Sequence, residues 1–342
     1  MYKKTQMNDL QTICDIYNKI TGRSRTTELH KWEWFTSPYE NKSYVIVDKE
    51  DNILGHHGIL TIKLQNNREL FTAGKTENTI MKKGYGPLYF KNEMKMHKEY
   101  IKEYDILITT TAKGVTQKIR EKLGYEVFAN YVLYFKIIDF RFVAEKLENK
   151  ILKTFAYILT PFLNILVLKK RINNRYTVEY KKLQENDLVE IENLYKKVSS
   201  KIGFSQLREA SFLSYRLLKN PYNEYYIQKL YLSDKLCGYI VYSIGNNMLS
   251  VEDILFTSLS EEKELFIRLF NYVKEYKIAT IVKMTTLNDS FLDKKYNYFF
   301  RKVSNKVEND KLMVKNNLPT NVKQDFFIKN FYFTKLMMEG IS

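Results

Sequence analysis

Cysteine is scarce: Cys14 and Cys237 are the only two among 342 residues. Two thiols cannot build a disulfide framework. Each falls in an expected core element, one helical and one extended, so both read as small buried hydrophobes in a reducing compartment. The opening residues, MYKKTQMNDL, lack the apolar stretch of a secretory signal, which makes the cytoplasm the expected location. No His/Cys cluster has zinc spacing, and neither a Gly-x-Ser-x-Gly elbow nor a Walker loop occurs, so no metal is expected. Negative charge is short as well: 55 Lys and Arg face 39 Asp and Glu, a net charge of +16.

Such an excess asks for an anionic partner: nucleic acid, a membrane surface or a phosphorylated ligand. A composition rich in Lys, Asn and Tyr, drawn from an AT-rich genome, would raise the overall charge equally well. It does not explain clustering. Residues 141–175 hold eight cations (Arg141, Lys146, Lys150, Lys153, Lys169, Lys170, Arg171, Arg175) against Glu145 and Glu148, a net of +6. With 44% apolar and 27% charged residues, the composition is globular, and the length suffices for two domains.

What the chain does have is a repeat. Residues 2–20 (YKKTQMNDLQTICDIYNKI) match residues 180–198 (YKKLQENDLVEIENLYKKV) at ten of nineteen positions. Further on, Pro38/Pro221, Tyr39/Tyr222 and Gly55/Gly238 share one offset of 183. That spacing is domain-sized, far beyond a solenoid repeat. Two copies of one α/β module are expected.

In the first copy, periodicity predicts an edge strand at 2–6, then a helix carrying Leu10, Ile13, Tyr17 and Ile20. A short helix at 27–35 precedes a hairpin of 44–48 with 53–64 and a long extended segment at 69–81. The loop KKGYGP at 82–87 opens the next helix; a buried strand at 105–111, a helix and a strand ending near 138 close the module. The second copy repeats this order as far as MLSVEDILF and then diverges, with TSLSEEKELFIRLF in place of the glycine loop. Its tail, through KQDFFIKNFYFTKL, reads as strand-like and is expected to close the second sheet. Between the copies, an apolar run from Phe155 to Leu168 is broken by Pro161 and flanked by lysines. Fourteen residues are too few to span a bilayer, which takes about 20. Two uses stay open for residues 150–172: a linker helix packed on its own protein, or an interfacial segment touching anionic head groups at the inner membrane face.

The only Gly-x-Gly of the chain lies in KKGYGP. A glycine turn between strand and helix frees backbone N–H groups to converge on one spot, and the helix N-terminus behind them favours an anion. Lys82 and Lys83 add positive charge, and Pro87 suits the first helical turn. Plain turn geometry would account for the glycines alone. The second copy, with Glu261 and Glu262 at the matching place, has nothing there for a phosphate.

This order of elements around a Gly-x-Gly loop resembles the GNAT superfamily of N-acyltransferases. KKGYG is similar to the family's Gln/Arg-x-x-Gly-x-Gly/Ala signature, and REKLGYE at 120–126 to its Tyr-Glu-Lys-x-Gly-Phe segment. The resemblance covers residues 1–138 and extends more loosely to 176–342. It implies an α/β fold of two tandem GNAT-like modules, each a mixed, mostly antiparallel sheet flanked by helices. The expected divisions are 1–140, a linker helix at 141–175, and a degenerate second module at 176–342. It also implies acyl-CoA as co-substrate, bound by Thr79, Ile80, Met81, Lys82, Lys83, Gly84, Tyr85, Gly86 and Pro87. Two residues depart from the pattern: Met81 stands in the Gln/Arg position and Arg120 in that of the tyrosine acid.

Acyl transfer to an amine needs the ammonium deprotonated before it attacks. The resemblance puts Glu77 in the place of the base, with Glu252 its partner in the repeat, and leaves Tyr125 as a substitute acid or a core aromatic. His56 and His57, adjacent on a strand, point to opposite faces. They, with Trp32 and Trp34 of the short helix, are the candidate acceptor contacts; packing is the alternative for all four.

The expectation is an acyl-CoA-dependent N-acyltransferase acting on a small-molecule amine. An amino sugar on a nucleotide- or lipid-linked glycan, as in bacterial surface polysaccharide, would suit the basic surface. Nucleic acid is not the expected partner, and the sequence carries no signal for an oligomeric state. Two other readings stay open: an aminoacyl-tRNA-dependent transferase of the FemABX type, and a GNAT-like binding protein without catalysis.

Overall fold

Both copies of the repeated segment start a helix by the same device. The Gln6 amide donates to Asp9 Oδ2 (2.8 Å) and the Gln184 amide to Asp187 Oδ2 (3.0 Å), reciprocal caps that satisfy amides a helix start leaves unpaired. The computed structural model in which these contacts occur describes residues 1–66, 69–112, 114–166, 171–287, 300–303, 311–317 and 331–337.

The first half runs β1 (Tyr2–Lys4), α1 (Leu10–Thr21), α2 (Thr27–Phe35), β2 (Lys42–Val47), β3 (Ile53–Asn66), β4 (Glu69–Met81), α3 (Gly86–Tyr100), β5 (Ile106–Ala112), α4 (Gly114–Lys122) and β6 (Glu126–Ile137). Helices α5 (Arg141–Glu145) and α6 (Lys150–Leu166) connect it to the second. There follow β7 (Tyr176–Lys182), α7 (Glu185–Ile202), β8 (Phe204–Gln206) and α8 (Ala210–Leu213), which continues as a π-helical turn over Ser214–Leu218. Next come β9 (Tyr225–Leu232), β10 (Lys235–Gly245), β11 (Met248–Phe256), α9 (Leu259–Glu275) and β12 (Ile281–Leu287). Three short strands, β13 (Arg301–Val303), β14 (Lys311–Asn316) and β15 (Phe331–Tyr332), complete the described chain.

Both halves are mixed, mostly antiparallel sheets flanked by helices, as expected, and they merge into one sheet. Within each, one adjacent pair is parallel: β4 with β5 and β11 with β12, the fourth and fifth strands of each half when the short β8 is set aside. The closing strands differ from the sequence reading. β6 does not close its own half; Tyr131–Ile137 pairs with β12, strand five of the second half. Reciprocally, β14 pairs with β5 of the first half while running antiparallel to Glu126–Asn130 of β6. β5 of the first half is thus completed by β14 of the second, and β12 of the second by β6 of the first. The tail assigned above to closing the second sheet lies partly outside the described residues, and its described part does something else, given below.

Equivalent residues of the repeat meet across the seam. Trp32 and Tyr215, offset by the same 183 residues, stack at 5.3 Å, and the Trp32 Nε1–H donates to the Tyr215 carbonyl (2.9 Å). The Tyr39 hydroxyl reaches Glu209 (2.5 Å), and its counterpart Tyr222 reaches Thr26 (2.5 Å). One buried cluster runs through both halves, from Leu29 and Ile62 to Leu194 and Tyr239. Cys14 and Cys237 are buried and free, on α1 and β10.

Candidate active site

The first half opens a slot between β4 and β5. Their pairing covers only Ala73–Thr76 with Ile106–Thr109. One residue later the β3–β4 register slips: Glu77 faces Gly58, but Ile80 faces His56, so two residues of β4 oppose one of β3. Such a bulge bends the strand. Asn78 sits in it at φ 50, a left-handed conformation that Asn tolerates better than most residues. A buried ion pair holds it there: Glu33 Oε2 accepts from Asn78 Nδ2 (2.6 Å) and also binds Arg25. From the bulge onward, residues 78–81 have no ladder partner on the β5 side among the described residues, which leaves an open strand edge.

A cleft of about 500 Å³ lies at this edge. Thr79, Ile80 and Met81 of β4 form one wall, and Gly86, Pro87, Tyr89 and Phe90 of α3 another. Thr116, Lys118, Ile119 and Lys122 of α4 form the third. Five of the nine residues expected to bind the donor line it; Lys82, Lys83, Gly84 and Tyr85 form the loop beside it. Within that loop the Lys82 amide is taken by the Leu54 carbonyl (2.9 Å) and the Tyr85 amide by that of Lys82 (3.3 Å). The amides of Lys83, Gly84 and Gly86 make no hydrogen bond among the described residues. Gly84 adopts φ +92, which disfavours any side chain, and a Cβ on Gly84 or Gly86 would meet open space. Three unspent amides at the start of a fifteen-residue helix, with Lys118 and Lys122 opposite, fit a diphosphate. The two α4 lysines escaped the sequence reading, although their i, i+4 spacing was visible; which helix face meets the loop was not.

Glu77 is 3% exposed, at the first position beyond the paired part of β4. It is ion-paired with Lys75, itself buried, and Thr110 Oγ1 donates to it at 3.4 Å. Tyr125 is also buried. Its ring packs over the Arg120 guanidinium (5.5 Å) and its hydroxyl has no partner among the described residues. Burial raises the Tyr125 pKa against the opposing charge of Arg120, so the proton stays on at neutral pH. Arg120 itself is bound to Glu93, which also takes His57 Nδ1 (2.9 Å), the Tyr89 hydroxyl (2.5 Å) and the Tyr100 hydroxyl (3.3 Å). Burial alone would raise the Glu93 pKa; Arg120 and then His57 hold it far below the carboxylate range. Arg120 Nε, His57 Nε2 and His97 Nε2 have no hydrogen-bond partner among the described residues around this cluster. Nothing in the sequence pattern announced it, because Glu93 reads there as an ordinary helix residue.

His56 and His57 do point to opposite faces, His57 toward α3 and His56 toward α2. Both are fully buried. Burial pushes His56 down to about 3, although Nδ1 lies 2.9 Å from the Asn78 carbonyl it can serve as donor. Trp34 packs against Gly58, where a Cβ would come within 2.0 Å of the ring, and Trp32 stacks on Tyr215. None of the four lines the cleft.

The second half keeps the bulge, at Glu252 of β11, and the splay, but not the open glycine loop. Only Thr257 and Ser258 join β11 to α9, and the Thr257 hydroxyl donates to Glu261 Oε2 (2.7 Å) in the first helical turn. Its own splay, where β11 leaves β12 after Val251, is filled by the chain's tail. The Tyr332 hydroxyl donates to the Ile254 carbonyl (2.8 Å), Thr334 to Asp253 (2.8 Å) and Lys335 to Glu252 (2.8 Å). From the other side, Thr286 of β12 donates to the Phe333 carbonyl (3.3 Å). Toward the seam, a polar cavity of about 200 Å³ holds Arg216, Ser250, Glu252, Lys283 and Lys335. Arg216 and Leu336 also line a narrow recess with Lys75 and Thr61 of the first half.

A bulged fourth strand splayed from its parallel neighbour, with a glycine loop and helix at the opening, is the GNAT arrangement, and the chain contains that fold twice. Among solved structures it is similar to a GCN5-related N-acetyltransferase from Anabaena variabilis (TM-score 0.63, 13% identity, covering 92% of this chain and 72% of that one). It is similar to another from Kribbella flavida (0.59, 12%, 92% and 70%). A tandem GNAT protein of the clavulanic acid biosynthesis pathway matches over 94% of this chain and 99% of its own, at TM-score 0.58 and 9% identity. No protein-family model matches the sequence, and no curated protein does.

Proposed function

We propose that the protein is an acyl-CoA-dependent N-acyltransferase in which the first unit, residues 1–140, seats the donor. In this reading residues 141–175 connect, and residues 176–342 wall the acceptor site. The observation that carries it is the asymmetry of the two splays: one open beside unspent amides, the other closed by the chain's own tail. The donor's diphosphate would lie on the amides of Lys83, Gly84 and Gly86 between Lys118 and Lys122, and its amide-bearing arm would pair with the open edge of residues 78–81. When bound, acyl-CoA supplies an acyl group activated as a thioester. Glu77 is the base that takes the ammonium proton, and Tyr125 the proton donor.

The acceptor is an amine carrying an anionic group. Arg216, Lys283 and Lys335 face one carboxylate, Glu252, in the seam cavity. Burial lowers the Lys283 pKa, Lys335 adds to the effect, and Glu252 opposes it. An amino sugar bearing phosphate fits that balance. In this reading Trp32, Trp34, His56 and His57 shape the cleft from behind rather than touch the acceptor. The Lys75–Glu77 pair favours one other reading, binding without turnover, because a carboxylate neutralised by an ammonium is a poor base.

The test is the melting temperature with and without CoA, repeated on Gly86→Glu. A ligand bound to the native state alone, at about 100 times its Kd, stabilises by about 2.7 kcal/mol. A shift is expected in the parent and none in the variant, whose carboxylate would fill the anion seat. No shift in the parent would remove the donor assignment. A shift without turnover on any amine panel would leave the binding protein.

A further inference from the structure

α6 is built inside out. Ile151, Leu152, Phe155, Ile158, Leu159 and Phe162 are between 48% and 72% exposed, on a helix whose buried position is Thr160. At 100° per residue these six fall within an arc of about 120°, a continuous apolar stripe. The opposite face is fixed to the protein. Asn164 Oδ1 accepts the Phe140 amide (2.9 Å), its Nδ2 donates to Asp139 (3.0 Å), and Lys274 donates to the Asn164 carbonyl (2.8 Å). The stripe is therefore held outward by specific bonds on the polar side.

A contiguous apolar patch of this kind marks a docking face. We propose that α6 lies in the plane of an anionic lipid bilayer, its stripe among the acyl chains near the head groups. Charge selects this occupant. The helix begins at Lys150, and Arg141 and Lys146 precede it, all exposed. Beside its polar face, Lys274 and Lys277 line a recess of about 430 Å³ with Glu145 and with Arg141, which is paired to Asp139. Interfacial helices pair such an apolar face with basic flanks. A second copy would instead bring two chains of net charge +16 together along their basic regions. Crossing is excluded for the described helices, since none is long and apolar enough.

The proposal does not depend on acyl transfer, and neither does its test. The full chain is sedimented with vesicles of phosphatidylcholine alone and with vesicles containing about 30 mol% phosphatidylglycerol. Phe155→Ser/Ile158→Ser/Phe162→Ser is compared after its melting temperature is matched to the parent's, which these exposed positions should allow. Cosedimentation with the anionic vesicles only, weakened about tenfold or more in the triple variant, is expected. Equal binding by parent and variant would show charge acting without the stripe and overturn the proposal. So would failure to bind, or a parent dimer that the triple variant converts to monomer.

Discussion

Glu77 and Glu93 are both buried carboxylates in the first half, yet their partners suit them to different work. Glu93 accepts from Arg120, His57, Tyr89 and Tyr100, is fully buried and does not line the cleft. Glu93→Gln should cost about 3–5 kcal/mol in chemical denaturation, because it strands the buried Arg120 charge. Glu77 has Lys75 and Thr110 and stands where the open strand edge begins. Glu77→Gln should lower kcat about 10²–10⁴-fold with little change in KM for the acyl donor, measured at saturating amine. Histidine gives a pH signature. Burial pushes His30 far down and His56 to about 3, both from an ordinary 6.5. Below 6.5 the unfolded chain therefore binds protons that the native chain refuses. Stability present above that pH should fall as pH drops from about 6.5 toward 3, by about 1.4 kcal/mol per unit for each of the two residues, as urea titrations would read. The sequence placed Glu77 on its strand and separated the two histidines by face. It could not show Glu93 against Arg120, since that pair is chosen by packing between α3 and α4, while Lys75 and Glu77, two apart on β4, share a face that the alternation alone gave no reason to bury.

Elements explain why only one half has a slot. Gly84 needs its positive φ and Gly86 leaves its amide bare, so the loop from β4 to α3 stays open. Across the repeat, two residues do the same joining job, with Glu261 in the first helical turn taking the Thr257 hydroxyl, and leave nothing for an anion. The tail then fills the splay that remains. Tyr332, Phe333 and Leu336 are 3% exposed or less, so Phe333→Ala should cost about 3–5 kcal/mol while the CoA-induced shift, carried by the other half, persists. The loss of the second glycine loop was legible as two glutamates. The tail was not: its residues alternate like a strand, and whether a strand-like segment joins a sheet or plugs one is settled by what the sheet still lacks. The long β4, 69–81, emerged with the bounds its pattern gave, but the bulge at Asn78 that makes it useful left no mark in the periodicity.

For the whole molecule, the duplication is visible in the sequence and the reciprocal pairing is not. Repeat spacing fixes how many modules exist; it says nothing about which closing strand serves which sheet. Because β14 completes the first half and β6 the second, and one core runs through both, the protein should unfold in a single transition, with fluorescence and circular dichroism midpoints coinciding in urea.

Synthesis from the N-terminus adds a timing constraint. β5 ends at Ala112, while the strand that covers its edge begins at Lys311. At about 5–20 residues per second the ribosome needs roughly 10–40 s to supply that cover. For that interval the nascent chain carries a bare parallel edge, a template for pairing with neighbouring chains on the same polysome.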